Sequence, residues 1–191
     1  MPDLSSRPPA RRGCTAWAAA CATGIALGLL AGTAFAVESP AQAANSDVAA
    51  SAFDRLKALE GTWRIADRED HPLRIRFYPS AGGSALVESW DVNGRSHSLT
   101  IYHRDGDTLL ATHYCPQGNQ PRMALDQDDE QVRFTFRDAT DLDASKEQHQ
   151  HTLAFDLQPA DRIVRSEQYM DGQGSLHPSE LVLIRVPDDE G

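Results

Sequence analysis

Glu88, Trp90, His97, Thr112 and Tyr114 bring a carboxylate, an indole N–H, an imidazole and two hydroxyls into one short stretch of chain. Such groups orient a small molecule by hydrogen bonding, and they carry no recognisable reaction signature. The segment just beyond is rich in amides and glycine. Asn119 and Gln120 could bond backbone or ligand there, and Arg122 could attract an anion or pair with a surface acid. His97, His103 and His113 look like a metal set in one dimension, and His149 with His151 makes a second pair. Cys115, beside Tyr114 and near His113, would be a nucleophile only if a histidine lowered its pKa. No Gly-x-Ser-x-Gly, His-Glu-x-x-His, phosphate loop or dinucleotide fingerprint occurs.

Which of these groups meet depends on the strands that carry them. Ser51 caps a short helix whose apolar face holds Phe53, Leu56 and Leu59, and Gly61 ends it. From Gly61 the period becomes alternating. Ten strands are predicted: 62–67, 73–78, 84–91, 96–103, 108–114, 122–125, 131–137, 149–157, 162–170 and 181–186. Ala81-Gly82-Gly83, Asn93-Gly94, Asp105-Gly106 and Asp171-Gly172 supply tight turns, so consecutive strands should pair antiparallel. The expectation is an all-β fold: an up-and-down antiparallel β-barrel of about ten strands with a short N-terminal helix, closed so that no edge is left exposed.

The turns also predict the register. A two-residue turn at Asn93-Gly94 sets Trp90 against His97 and Leu86 against Ile101, and one at Asp105-Gly106 sets His97 against Tyr114. One face then carries Leu86, Glu88, Trp90, His97, Leu99, Ile101, His103, Leu110, Thr112 and Tyr114. Its larger apolar side chains mark it as the interior face. A single bulge would swap the faces and bring His113 and Cys115 inward. On this register His97 and His113 lie on opposite faces, and His103 is about 20 Å along the strand from His97. That spacing argues against a three-histidine metal site, which needs its nitrogens about 2 Å from one ion.

The chain has 191 residues and a formal charge of −10, which disfavours nucleic acid or an anionic membrane as the main partner. Arg7, Arg11 and Arg12 precede an uncharged stretch from Gly13 to Val37, and Ala34-Phe35-Ala36 fits a signal-peptidase site. Residues 1–36 therefore read as a signal peptide, 37–50 as a flexible linker, 51–187 as the barrel and 188–191 as an acidic tail. An uncleaved anchor is the alternative. Cleavage would remove Cys14 and Cys21, leave Cys115 as the only cysteine, and send the protein to the periplasm or outside the cell. Asp128-Asp129-Glu130 and Asp188-Asp189-Glu190 read as a solvated turn and tail.

A helix running into Gly61-Thr62-Trp63, with Arg185 on the last strand, resembles the calycin superfamily of lipocalins, fatty-acid-binding proteins and nitrobindins. In that superfamily the tryptophan closes one barrel end and a late arginine packs over it. The segment Thr112-His113-Tyr114-Cys115-Pro116-Gln117-Gly118-Asn119-Gln120-Pro121-Arg122-Met123 resembles one in uncharacterised bacterial lipocalin-like proteins. That likeness carries no assigned activity. The leader and a barrel interior that is apolar with a few convergent polar groups give the expectation of an exported protein that holds a small, mostly apolar molecule, with no cofactor. The candidate ligand-binding residues are Glu88, Trp90, His97, Thr112, Tyr114, Asn119, Gln120 and Arg122. Likeness to nitrobindins implies a second possibility, haem held by His177 in a protein acting on nitrogen oxides, although Arg64-Ile65-Ala66-Asp67 departs from the nitrobindin pattern after Trp63. An enzyme using a cavity Glu, His or Cys, or a module recognising another protein, stays open as a further alternative.

Overall fold

A computed structural model describes residues 39–126, 131–157 and 161–187. The expected signal peptide and both acidic runs lie outside these residues. One helix, α1 (Pro40–Lys57), is followed by ten strands: β1 (Gly61–Ile65), β2 (Leu73–Ser80), β3 (Ala85–Val92), β4 (Arg95–Asp105), β5 (Thr108–Tyr114), β6 (Gln120–Leu125), β7 (Val132–Thr140), β8 (His149–Asp156), β9 (Arg162–Met170) and β10 (Leu176–Arg185). Each strand pairs antiparallel with its neighbour in sequence, and β10 pairs with β1, so the sheet closes into a barrel. This is the expected architecture, and it is consistent with a calycin-like fold. Among the described residues no helix is long and apolar enough to cross a membrane.

The helix begins at Pro40, within the segment expected to be a linker. Ser39 caps it, its Oγ accepting from the Gln42 N–H at 3.3 Å, and Pro40 occupies the first turn, where a missing N–H costs nothing. Alanines between the cap and Ser51 are strong helix formers, so the helix extends back to the proline. Ala49, Ala52, Phe53 and Leu56 are its buried face, packed against β2, β4 and β5 at one end of the barrel.

Trp63 closes that end. It is fully buried, its Nε1 donates to the Leu59 carbonyl at 2.8 Å, and the Arg185 guanidinium lies 4.5 Å from its ring centre. Arg185 also donates to the carbonyls of Ala58 and Glu60, where α1 ends and its spare carbonyls favour a cation. Gly61 is required here. Its φ is +128°, and a Cβ would sit 2.7 Å from Arg185 Nη1.

The hairpin registers carry the main correction. Asn93 and Gly94, with φ of 52° and 73°, form the expected turn, and Val92 faces Arg95. Trp90, however, pairs with Ser98 while Asp91 pairs with Ser96, so His97 is an extra residue in a bulge. Beyond it Glu88 faces Thr100 and Leu86 faces Tyr102. The bulge turns β4 over, and β5 with it. The next turn is centred on Gly106-Asp107, with Asp105 facing Thr108, but this shift preserves which residues share a face. Leu86, Glu88 and Trp90 therefore point inward as expected, whereas His97, Leu99, Ile101, His103, Leu110, Thr112 and Tyr114 do not. Ser98, Thr100, Tyr102, Leu109, Ala111, His113 and Cys115 take the inner face instead.

Candidate functional site

The barrel interior changes character along its axis. Next to α1 it is filled by Trp63, Ile75, Phe77, Leu109 and Phe134, all buried within one apolar core. Phe77, Tyr102, Phe134 and Phe155 meet at tilted or edge-on angles with ring centres 5.6–6.3 Å apart.

Above this layer lies a buried charge cluster that joins β3, β4, β8, β9 and β10. Arg165 is 2% exposed and Glu88 is fully buried. Arg165 Nε donates to Glu88 Oε1 at 2.8 Å, and Nη1 donates to Glu167 Oε2 at 2.8 Å. Trp90 Nε1 donates to Glu88 Oε1 at 2.6 Å, and the Tyr102 hydroxyl donates to Glu88 Oε2. Gln150 Nε2 donates to Glu167 Oε2 at 2.7 Å and Ser179 Oγ to Glu167 Oε1 at 3.1 Å. The guanidinium also stacks 4.7 Å from the Trp90 ring centre. Burial alone would lower the Arg165 pKa, but Glu88 and Glu167 beside it outweigh this and raise it. Burial pushes Glu167 up, and Arg165 more than offsets that, leaving its carboxyl below the usual range. Tyr102 is driven up by burial and by Glu88, so it remains a donor. Buried ions are tolerated only when paired in this way.

Toward the far end, His113 joins the set. One ring nitrogen, Nδ1, pairs with Thr100 Oγ1 at 3.0 Å, and Nε2 pairs with the Tyr169 hydroxyl at 3.3 Å. Burial, assisted by Arg165, lowers the His113 pKa to about 4, so the ring is neutral at pH 7. Burial likewise raises Tyr169, with Glu167 adding to it, and raises the Cys115 thiol. Cys115 is thus poorly suited to attack as a thiolate, and both nitrogens of the nearby imidazole are engaged elsewhere. Trp90 and Tyr169 are partly exposed, which places solvent against the inner wall at this level.

The sequence-predicted residues fall in four places. Glu88 and Trp90 belong to the interior cluster. Thr112, Tyr114, Gln120 and Arg122 do come together, but on the outside of the barrel, where with His103, Asp105, Leu110 and Thr140 they line a cleft of about 450 Å³. Arg122 is held there by Asp138. His97 is exposed in its bulge. Asn119 is fully buried, its Nδ2 donating to the Gln148 carbonyl at 3.0 Å. Arg165, Glu167, Gln150 and Tyr169 went unnoticed in the sequence. Their signal was an alternating run of polar residues on β9, in which Arg165, Glu167 and Tyr169 share the face of Ile163.

His177 faces Tyr169 across the β9–β10 pairing at the barrel rim. The residues around it do not fit haem. Its Nε2 pairs with Asp171 Oδ2 at 2.8 Å, and its neighbours Glu167, Tyr169 and Ser179 are polar where a porphyrin needs flat apolar walls. Among the described residues no three His, Cys, Asp or Glu side chains come together as a metal site.

No protein-family model matches the chain, and no curated protein matches it.

Proposed function

We propose that the barrel is an exported binding protein for a small, mostly apolar molecule, seated in the far half of the interior and carrying at least one hydrogen-bond donor. Export rests on the leader-like residues 1–36. The observation that carries the binding reading is Gln150. It is fully buried, and its Nε2 is committed to Glu167, which fixes the amide orientation and leaves Oε1 without a protein partner. A buried acceptor left unpaired costs about 1–3 kcal/mol, which a ligand donor would recover. Tyr169, which faces Gln150 across the β8–β9 pairing, supplies apolar wall beside it, with Trp90 stacked on Arg165 in the layer below, and burial of ligand surface there would contribute roughly 25 cal/mol per Å². Glu88 and Arg165 hold that wall rigid and are themselves bonded to each other and to Trp90, Tyr102 and Glu167.

Native mass spectrometry of gently purified protein tests this reading. The expected spectrum contains a population heavier than the polypeptide by one small molecule, and Gln150→Leu and Trp90→Ala lose it while still folding. A protein that stays at its bare mass after exposure to extracts of its own cells overturns the proposal.

A further inference from the structure

The pairing of β7 with β8 stops at Thr135 and Thr152, and beyond that point the two strands part. A bulge between Gln150 and Thr152 marks the same place on β8. Phe136, His149 and His151 come together there, with ring centres 4.5 Å apart for Phe136–His149, 5.7 Å for Phe136–His151 and 5.8 Å for the two histidines. His149 is 4% exposed, yet neither of its ring nitrogens has a partner, and the buried Nδ1 of His151 has none either. Asn119, bonded to the residue before His149, has a buried and unpartnered Oδ1 as well. Its Nδ2 is spent on the Gln148 carbonyl, so the amide cannot flip to relieve this. The buried side-chain atoms without partners, among the described residues, are all on Asn119 and on residues 149–151.

This corner therefore holds a surplus of lone pairs. A neutral imidazole has one donor nitrogen and one acceptor, and an amide oxygen only accepts. The lone pairs of such a set are satisfied by a hydrogen-bond donor or by a metal ion, and two imidazoles side by side suit the ion. We infer that His149 and His151 form a binding site for a late first-row transition-metal ion, of the zinc or copper type that imidazole favours. Ring nitrogens lie about 2.0–2.1 Å from such an ion. Each ring centre is then roughly 3.2 Å from the metal, and two rings sharing it lie no more than about 6.4 Å apart. The observed 5.8 Å meets that limit. Phe136 closes one side. The partly exposed His151 leaves a path from solvent. Two protein nitrogens leave the ion with open positions, which the Asn119 oxygen or solvent would occupy. The two histidine rings adjoin the Gln150–Glu167 seat, but the metal site does not use the Gln150 amide.

Untagged full-length protein titrated with Zn2+ and, separately, Cu2+ against a chromophoric chelator tests the inference. The expected result is one tight equivalent, weakened at least 100-fold in His149→Gln and in His151→Gln and about tenfold in Asn119→Ala. His97→Gln and His177→Gln, on exposed histidines, should leave it unchanged. The glutamine variants keep a polar side chain of similar length, and circular dichroism checks that they fold. Binding weaker than 100 μM, or tight binding that survives both His149→Gln and His151→Gln, overturns the site.

Discussion

The two halves of the barrel solve opposite problems with the same ten strands. At the helix end every inward residue is apolar or, like Trp63, has its one polar atom bonded, and α1 lies across the opening. Stability there comes from close packing, and the space is used up. At the far end the inner wall carries Thr100, His113, Gln150, Glu167 and Tyr169, solvent reaches Trp90 and Tyr169, and buried acceptors lack partners. That half gives up stability to present chemistry. Between them the Arg165 cluster acts as a floor, with apolar side chains on one side and hydrogen-bonding groups on the other.

The largest expected effect breaks the floor. Arg165→Met removes a buried cation and leaves Glu88 and Glu167 without it, and urea unfolding should show a loss of about 3–5 kcal/mol. A loss under 1 kcal/mol would mean that the two halves are not separated by a charge-paired layer.

Acid should act on the far half before the near half. The His113 pKa falls from 6.5 in the unfolded chain to about 4 in the folded one. Between those values the unfolded state binds a proton that the folded state refuses, so stability falls as pH drops through this window. The linked loss is roughly 3 kcal/mol. Glu167, whose folded pKa is depressed, adds a further loss only at lower pH, as its carboxylate is protonated. Unfolding free energies measured from pH 7 to 4 should show this slope, and His113→Gln should flatten it.

A smaller effect belongs to the helix end. Gly61→Ala places a side chain at φ +128° and against Arg185, and should cost about 2 kcal/mol in chemical denaturation. Ligand binding at the far end should be unchanged, which would sharpen the division between the halves.

Much of the near half was legible in the sequence. The strands, the helix-to-Gly61-Thr62-Trp63 junction and Arg185 follow from alternation, turn residues and one short motif, because apolar burial imposes a period that a linear reading detects. The Asn93-Gly94 turn was also right. What failed was the far half, through one residue. His97 fits into the β3–β4 ladder as an extra member, and no local propensity announces it, because its cost and benefit lie in how Trp90, Thr100 and Tyr102 pack once the barrel has closed. Period-two structure turns that single insertion into a complete exchange of faces. It sends Thr112 and Tyr114 outside and brings His113 and Cys115 in. Arg165 escaped notice for a related reason: an arginine in a strand reads as surface until its carboxylate partners, far away in sequence, are known. The helical start at Pro40 has no periodic signature, because an alanine-rich segment without an apolar stripe reads as a linker, although Ser39-Pro40 is a good helix start.

The most direct test of the division uses the two barrel tryptophans, Trp63 and Trp90, as reporters, one in each half. Their indole N–H signals in a nitrogen-15 spectrum, assigned with Trp63→Phe and Trp90→Phe, can be followed as small-molecule extract is added to the protein. The account predicts that the Trp90 signal shifts, as its hydrogen bond to Glu88 feels the occupant, while Trp63 stays fixed beneath α1. A shift of Trp63 with Trp90 unmoved would contradict it.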